Sequence, residues 1–146
     1  MKPLFLSLLL SCTVYGRAGD GEALLGTWRT DEGDLIEIYA CGDHYCGRIA
    51  DIVEKTYGAD DPLAGRPKVD RENPEPHKRD TPVIGLVIMQ GFVYKDKAAQ
   101  WQDGTIYDPN NGKTYKCKIT LKDGRLRVRG YIGIPTLGRT EIWQRN

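Results

Sequence analysis

An all-β fold, an eight-stranded antiparallel up-and-down barrel, is what this sequence predicts, and three observations carry the expectation. Apolar and polar residues alternate with period two along most of the chain, and no stretch has a convincing helical period. Turn dipeptides punctuate the alternation at Asp103-Gly104, Asn111-Gly112 and Asp123-Gly124. Gly26-Thr27-Trp28 opens the first strand, where a glycine, a spacer and a tryptophan suggest a barrel floor plugged by the indole. At 146 residues the chain has material for one core and one domain.

The first eighteen residues are set apart from that core. Lys2 precedes the short apolar run Leu4 to Leu10, and small residues follow at Gly16 and Ala18. This is the pattern of a secretory signal peptide at 1–18, leaving a single barrel domain at 19–146. Two other readings of the same stretch are a buried N-terminal helix and a lipoprotein cleavage box at Leu9-Leu10-Ser11-Cys12. The run is too short to span a bilayer, and no second long apolar segment follows it. Removing residues 1–18 takes away Lys2 and Arg17 and moves the net charge from +1 to −1. A balance so close to neutral favours no nucleic acid.

Strands are expected at 25–30, 34–40, 45–54, 84–94, 99–107, 113–121, 125–131 and 138–145. The fifth must bend at Asp103-Gly104 and is readable as two short strands. Eight strands of this length close a barrel that is either filled by side chains or wide enough for one small ligand. Closure also removes the edges that a sandwich would expose. Between the second and third strands, Cys41 and Cys46 bracket Gly42 to Tyr45, so a hairpin would bring them within disulfide reach. An oxidising compartment favours that bridge over a metal site using His44, which lacks a fourth ligand nearby. Cys117 stands among alternating apolar residues and reads as a small buried hydrophobe.

The Asp123-Gly124 hairpin fixes a register. Lys122 faces Arg125, and Leu121/Leu126, Ile119/Val128 and Cys117/Gly130 form the inward face. A slip of one residue would bury the lysines and arginines of the opposite face. The exception to this strand rhythm is 55–83, rich in Pro and charge, which reads as a lid over the barrel mouth or as a solvated excursion.

The expected interior includes Trp28, Ile36, Ile38, Tyr115, Ile119, Leu126 and Val128. Such a mostly apolar lumen suits a small hydrophobic or amphipathic ligand, and it equally suits a core filled by its own side chains. Trp28 is assigned to the floor. Ile36, Ile38, Tyr115, Ile119, Leu126 and Val128 are the candidate ligand-binding residues. Outside, Lys116, Lys118, Lys122, Arg125, Arg127 and Arg129 make a basic strand face. Like charges across a strand pair destabilise, so Glu141 is expected beside Arg127 or Arg129 as compensation. The sharper alternative is an anionic partner: a membrane surface, a polymer or a protein docked on this face or on the long loop.

Nothing in the chain reads as catalytic. His44 and His77 have no nucleophile beside them, and carboxylates such as Asp103 and Asp108 sit where turns require them. No glycine-rich loop leads into a helix. Neither a metal nor another cofactor is expected.

Several segments together resemble one family. They are Gly26-Thr27-Trp28; Cys41-Gly42-Asp43 with Cys46-Gly47-Arg48-Ile49; Ile84-Gly85-Leu86; Gly104 to Pro109 with Gly112-Lys113-Thr114-Tyr115; and Leu126 to Gly133 leading to Gly138-Arg139-Thr140 and Trp143. Over 25–145 this ensemble is similar to the exported bacterial proteins labelled domain of unknown function 2147, whose fold is similar to the lipocalins and other calycins. The resemblance implies a periplasmic or secreted ligand-binding barrel without established enzymatic activity. It also implies a basic residue near the chain end packed on the first-strand tryptophan, for which Arg145 is the match and Arg139 the second. No C-terminal helix of the lipocalin kind follows the barrel, and the long loop falls between the third and fourth strands.

Overall fold

A computed structural model describes residues 19–146; the expected signal peptide at 1–18 lies outside the described residues. Eight antiparallel strands follow in order: β1 (Gly26–Arg29), β2 (Leu35–Cys41), β3 (His44–Asp51), β4 (Val87–Lys95), β5 (Gln100–Asp108), β6 (Lys113–Lys122), β7 (Arg125–Tyr131) and β8 (Arg139–Arg145). Each pairs with its sequence neighbour, and β1 closes the barrel against β8 through Trp28 opposite Arg145 and Arg29 opposite Gln144. No helix among the described residues is long and apolar enough to cross a membrane.

Alternation places the core. On β6 and β7, Cys117, Ile119, Leu126 and Val128 are buried, while the lysines and arginines between them face outward. The pairing is Lys122 with Arg125, Leu121 with Leu126 and Ile119 with Val128, and positive φ at Asp123 and Gly124 makes the turn that fixes it. Leu121 is the exception to its face. It stands at the strand end, beyond the core, and is 36 % exposed. β5 is one continuous strand rather than two. Asp103 at φ 65° takes up the bend, and the register against β6 shifts between Trp101 and Gly104.

The barrel has two unlike ends. At one, the tight β2–β3, β4–β5 and β6–β7 connections surround a 3₁₀ turn at Asp20–Leu24 that plugs the opening. Cys41 and Cys46 are joined there by a disulfide across the β2–β3 turn. Trp28, fully buried, donates its indole N–H to the Leu24 carbonyl at 2.9 Å. Trp101 does the same for the Gly21 carbonyl at 3.0 Å. Arg145 stacks over the Trp28 ring at 4.2 Å and donates to the carbonyls of Leu25 (3.0 Å) and Ala23 (2.8 Å). Gly26 is required at this junction: its φ is 125°, and a Cβ would stand 2.8 Å from the Arg145 guanidinium. Leu24 of the plug is buried with Ile38, Met89, Phe92, Ile119 and Leu126 of the barrel wall.

Arg145→Met keeps the aliphatic stem and deletes both carbonyl bonds and the stacked charge. The expected result is a Tm lower by at least about 5 °C, measured by circular dichroism. Arg145→Lys should recover little of it, because an ammonium cannot bond two carbonyls while lying flat on the indole.

Candidate functional site

The other end of the barrel is open. Four connections meet there: β1–β2, the long β3–β4 segment, β5–β6 and β7–β8. They border a cavity of about 1010 Å³ that reaches down between the strands. Its deeper wall is apolar, built from Ile36, Ile49, Ile88, Ile106, Val128 and Trp143. These side chains are inward because each sits on the core phase of its strand, opposite the polar phase that faces water. The rim carries tyrosines, carboxylates and three basic residues.

The β3–β4 connection shapes one side of the mouth. Two isolated bridges, Thr56 with Pro67 and Val69 with Pro82, fold it on itself. The buried Tyr57 hydroxyl donates to the Val69 carbonyl (3.1 Å) and accepts from the Val69 N–H (3.2 Å). Arg71 lies 4.4 Å over the Tyr57 ring and bonds both oxygens of Asp61 at 3.0 and 2.8 Å. The Leu63 backbone N–H, and then the Arg71 guanidinium, hold the Asp61 carboxyl below its ordinary range. This segment is therefore an ordered wall rather than a solvated excursion.

One buried group fastens the wall to the barrel. Asp70 is fully buried; it accepts the Tyr107 hydroxyl of β5 at 2.6 Å and the Asn73 amide at 2.6 Å. Burial, reinforced by the Asp70 hydrogen bond and charge, pushes the Tyr107 hydroxyl far above its ordinary value of 10. Alongside, Gly112 lets the segment approach: its φ is 70°, and a Cβ would collide with the Glu72 carbonyl oxygen.

The candidate ligand residues divide between the two halves of the barrel. Ile36, Tyr115 and Val128 line the cavity. Ile38, Ile119 and Leu126 do not; they are buried in the packed core with Trp28, and Arg145 lies on the Trp28 ring. Cys117 is buried in the same core, where burial, with the Glu141 charge adding to it, pushes the thiol up to about 12.

Glu141 is not where the sequence reading places it. It pairs opposite Val128, on the inward face, while Arg127 and Arg129 face Ile142 and Thr140. The Trp143 indole N–H donates to its Oε2 at 3.0 Å, and Arg139 stands 3.7 Å from Oε1. Among the described residues none of Lys116, Lys118, Lys122, Arg125, Arg127 and Arg129 forms an ion pair. Arg129 instead braces the β7–β8 connection through the Pro135 carbonyl (2.7 Å) and the Thr140 hydroxyl (2.7 Å).

Sequence reasoning also missed Trp101, Asp70 and Trp143. Period two does put Glu141 and Trp143 on one face, so a signal was there for the carboxylate. Asp70 had none, because nothing local distinguishes it from the other acids of its segment.

A family model described as "Uncharacterized protein conserved in bacteria (DUF2147)" matches residues 26–145. No curated protein matches the chain. Among solved structures, protein HP1028 from the human pathogen Helicobacter pylori, described as belonging to the lipocalin family, superposes with a TM-score of 0.70. The two are 21 % identical, and the match covers 84 % of this chain and 82 % of that one. The likeness is one of fold: a lipocalin-like barrel.

Tyr107→Phe should lower unfolding stability at pH 7 by about 1–3 kcal/mol, because buried Asp70 loses one of its two donors. A raised tyrosine value stabilises the fold below pH 10 and gives that stability up as the hydroxyl ionises above it. The difference between wild type and variant in urea denaturation should therefore hold up to about pH 10 and shrink as the pH is raised above it.

Proposed function

We propose that this chain, which belongs to the bacterial family described as "Uncharacterized protein conserved in bacteria (DUF2147)", is an exported carrier holding one small hydrophobic or amphipathic molecule in the cavity at its mouth. The cavity carries this reading. Its volume of about 1010 Å³ suits a ligand of moderate size, and its apolar depth under a polar rim suits a molecule with two unlike ends. Burying about 200 Å² of apolar ligand surface would contribute roughly 5 kcal/mol before ordering costs. The Cys41–Cys46 bridge fits a periplasmic or secreted setting. The reading is one of binding rather than of catalysis.

Titration with the neutral fluorophore N-phenyl-1-naphthylamine tests the carrier directly. One saturable site with micromolar affinity is expected, and Ile106→Trp, which fills the cavity, should weaken it at least tenfold. Val87→Trp, placed on an exposed position outside the cavity, should leave it unchanged. A linear, unsaturable response in the wild type would sink the reading.

A second reading concerns the outer face, where the six basic side chains of β6 and β7 form no ion pair among the described residues. Such a face suits an anionic surface. Lys118→Glu/Arg127→Glu should abolish sedimentation with phosphatidylglycerol vesicles at low salt. Equal sedimentation of the double variant would remove this role and leave the carrier intact.

A further inference from the structure

We propose that the molecule held in the cavity carries a positive charge and that Glu141 is the residue that reads it; the proposal rests on the carrier reading above. In the lining, carboxylates outnumber basic side chains seven to three. All three bases are already committed within the protein: Lys68 to Glu54 at 3.1 Å, Arg71 to Asp61 at 2.8 Å, and Arg139 to Glu141 at 3.7 Å. A carboxylate-headed amphiphile would have to compete with an internal acid for one of them, inside a field of excess negative charge. An ammonium head meets the opposite situation, a wall with carboxylates to spare.

Position singles out Glu141 among those acids. The others stand on rim connections, on the β3–β4 segment or, for Asp108, at the mouth end of β5, whereas Glu141 is within β8, opposite Val128 and two residues from buried Trp143. Its carboxylate is held by the Trp143 indole, yet its side chain keeps 36 % exposure. Its contact with Arg139 is the longest of the three, and that guanidinium is 79 % exposed at the rim, where water screens it. A bound cation at Glu141 would sit deeper and drier than Arg139 does. Tyr107, Tyr115 and Trp143 add aromatic surface to the same lining, which favours an organic cation over a metal ion. The ligand class is thus a cationic amphiphile, its apolar part against Ile36, Ile88 and Val128 and its charge at Glu141.

Three probes of one chain length separate charge from burial: decyltrimethylammonium and decanoate below their micellar concentrations and decanol below its solubility, titrated calorimetrically into the disulfide-bonded protein. The cation should bind at least tenfold tighter than decanol, and decanoate should bind weakest. Glu141→Gln keeps an oxygen for the Trp143 N–H and should cost the cation at least fivefold while changing decanol less than twofold. Decanoate binding as tightly as the cation, or Glu141→Gln leaving the cation-to-decanol ratio unchanged, would overturn the charge assignment while decanol binding still upheld the carrier. Failure of all three probes, with the neutral fluorophore also unbound, would remove both.

Discussion

Four carbonyls in five residues decide what kind of object this barrel is. The oxygens of Gly21, Ala23, Leu24 and Leu25 belong to a 3₁₀ turn too short to satisfy them internally. They are caught by Trp101 from β5, Trp28 from β1 and Arg145 from β8. The donors are drawn from three places around the ring, so the plug seats only when the ring has closed. Closure depends on the plug in turn. The β1–β8 seam pairs Trp28 with Arg145 and Arg29 with Gln144, and the Asn146 N–H adds a bond to the Thr27 carbonyl at 3.0 Å. Arg145 reinforces the seam by lying on the indole of its own pairing partner. A seam this short would be the weakest in the barrel without that stack.

The consequence is a cup with a solid base. Trp28, Trp101, Phe92, Met89, Ile38 and Ile119 are buried in the packed core, and the large cavity opens at the end away from the plug. What remains hollow is shaped by the long β3–β4 segment, whose wall is set by one buried carboxylate. Among the described residues Asp70 forms no ion pair, and its side chain accepts from the Tyr107 hydroxyl and the Asn73 amide. A buried acid satisfied by neutral donors is costly to leave half-paired, and that cost is what makes the position of the wall specific.

The strands were legible because their physics is local. Alternation marked them, and the two-residue Asp123-Gly124 turn left the β6–β7 pairing a single solution that kept arginines out of the core. The disulfide was legible for the same reason, since a tight turn leaves its flanking residues no other place to go. Legibility failed where a connection was long. β7 and β8 are joined through Gly133, Pro135 and Gly138, whose geometry no turn rule dictates, and so Glu141 was placed on the wrong face. The interior set was right in phase and wrong in depth: Ile38, Ile119 and Leu126 point inward, but alternation says nothing of height along the barrel axis. Asp70 and Tyr107 are 37 residues apart in sequence, and their meeting belongs to tertiary structure alone.

No residue that locks the plug also lines the cavity. In many small proteins the groups that recognise a ligand are also groups the fold needs, so a change of specificity endangers the molecule. Here the carbonyls of the plug are held by residues that the mouth does not use, so changes at the exposed rim leave that lock untouched. A lineage built on this plan can exchange one cargo for another most freely at the exposed rim, where a substitution touches neither the plug nor the buried lining.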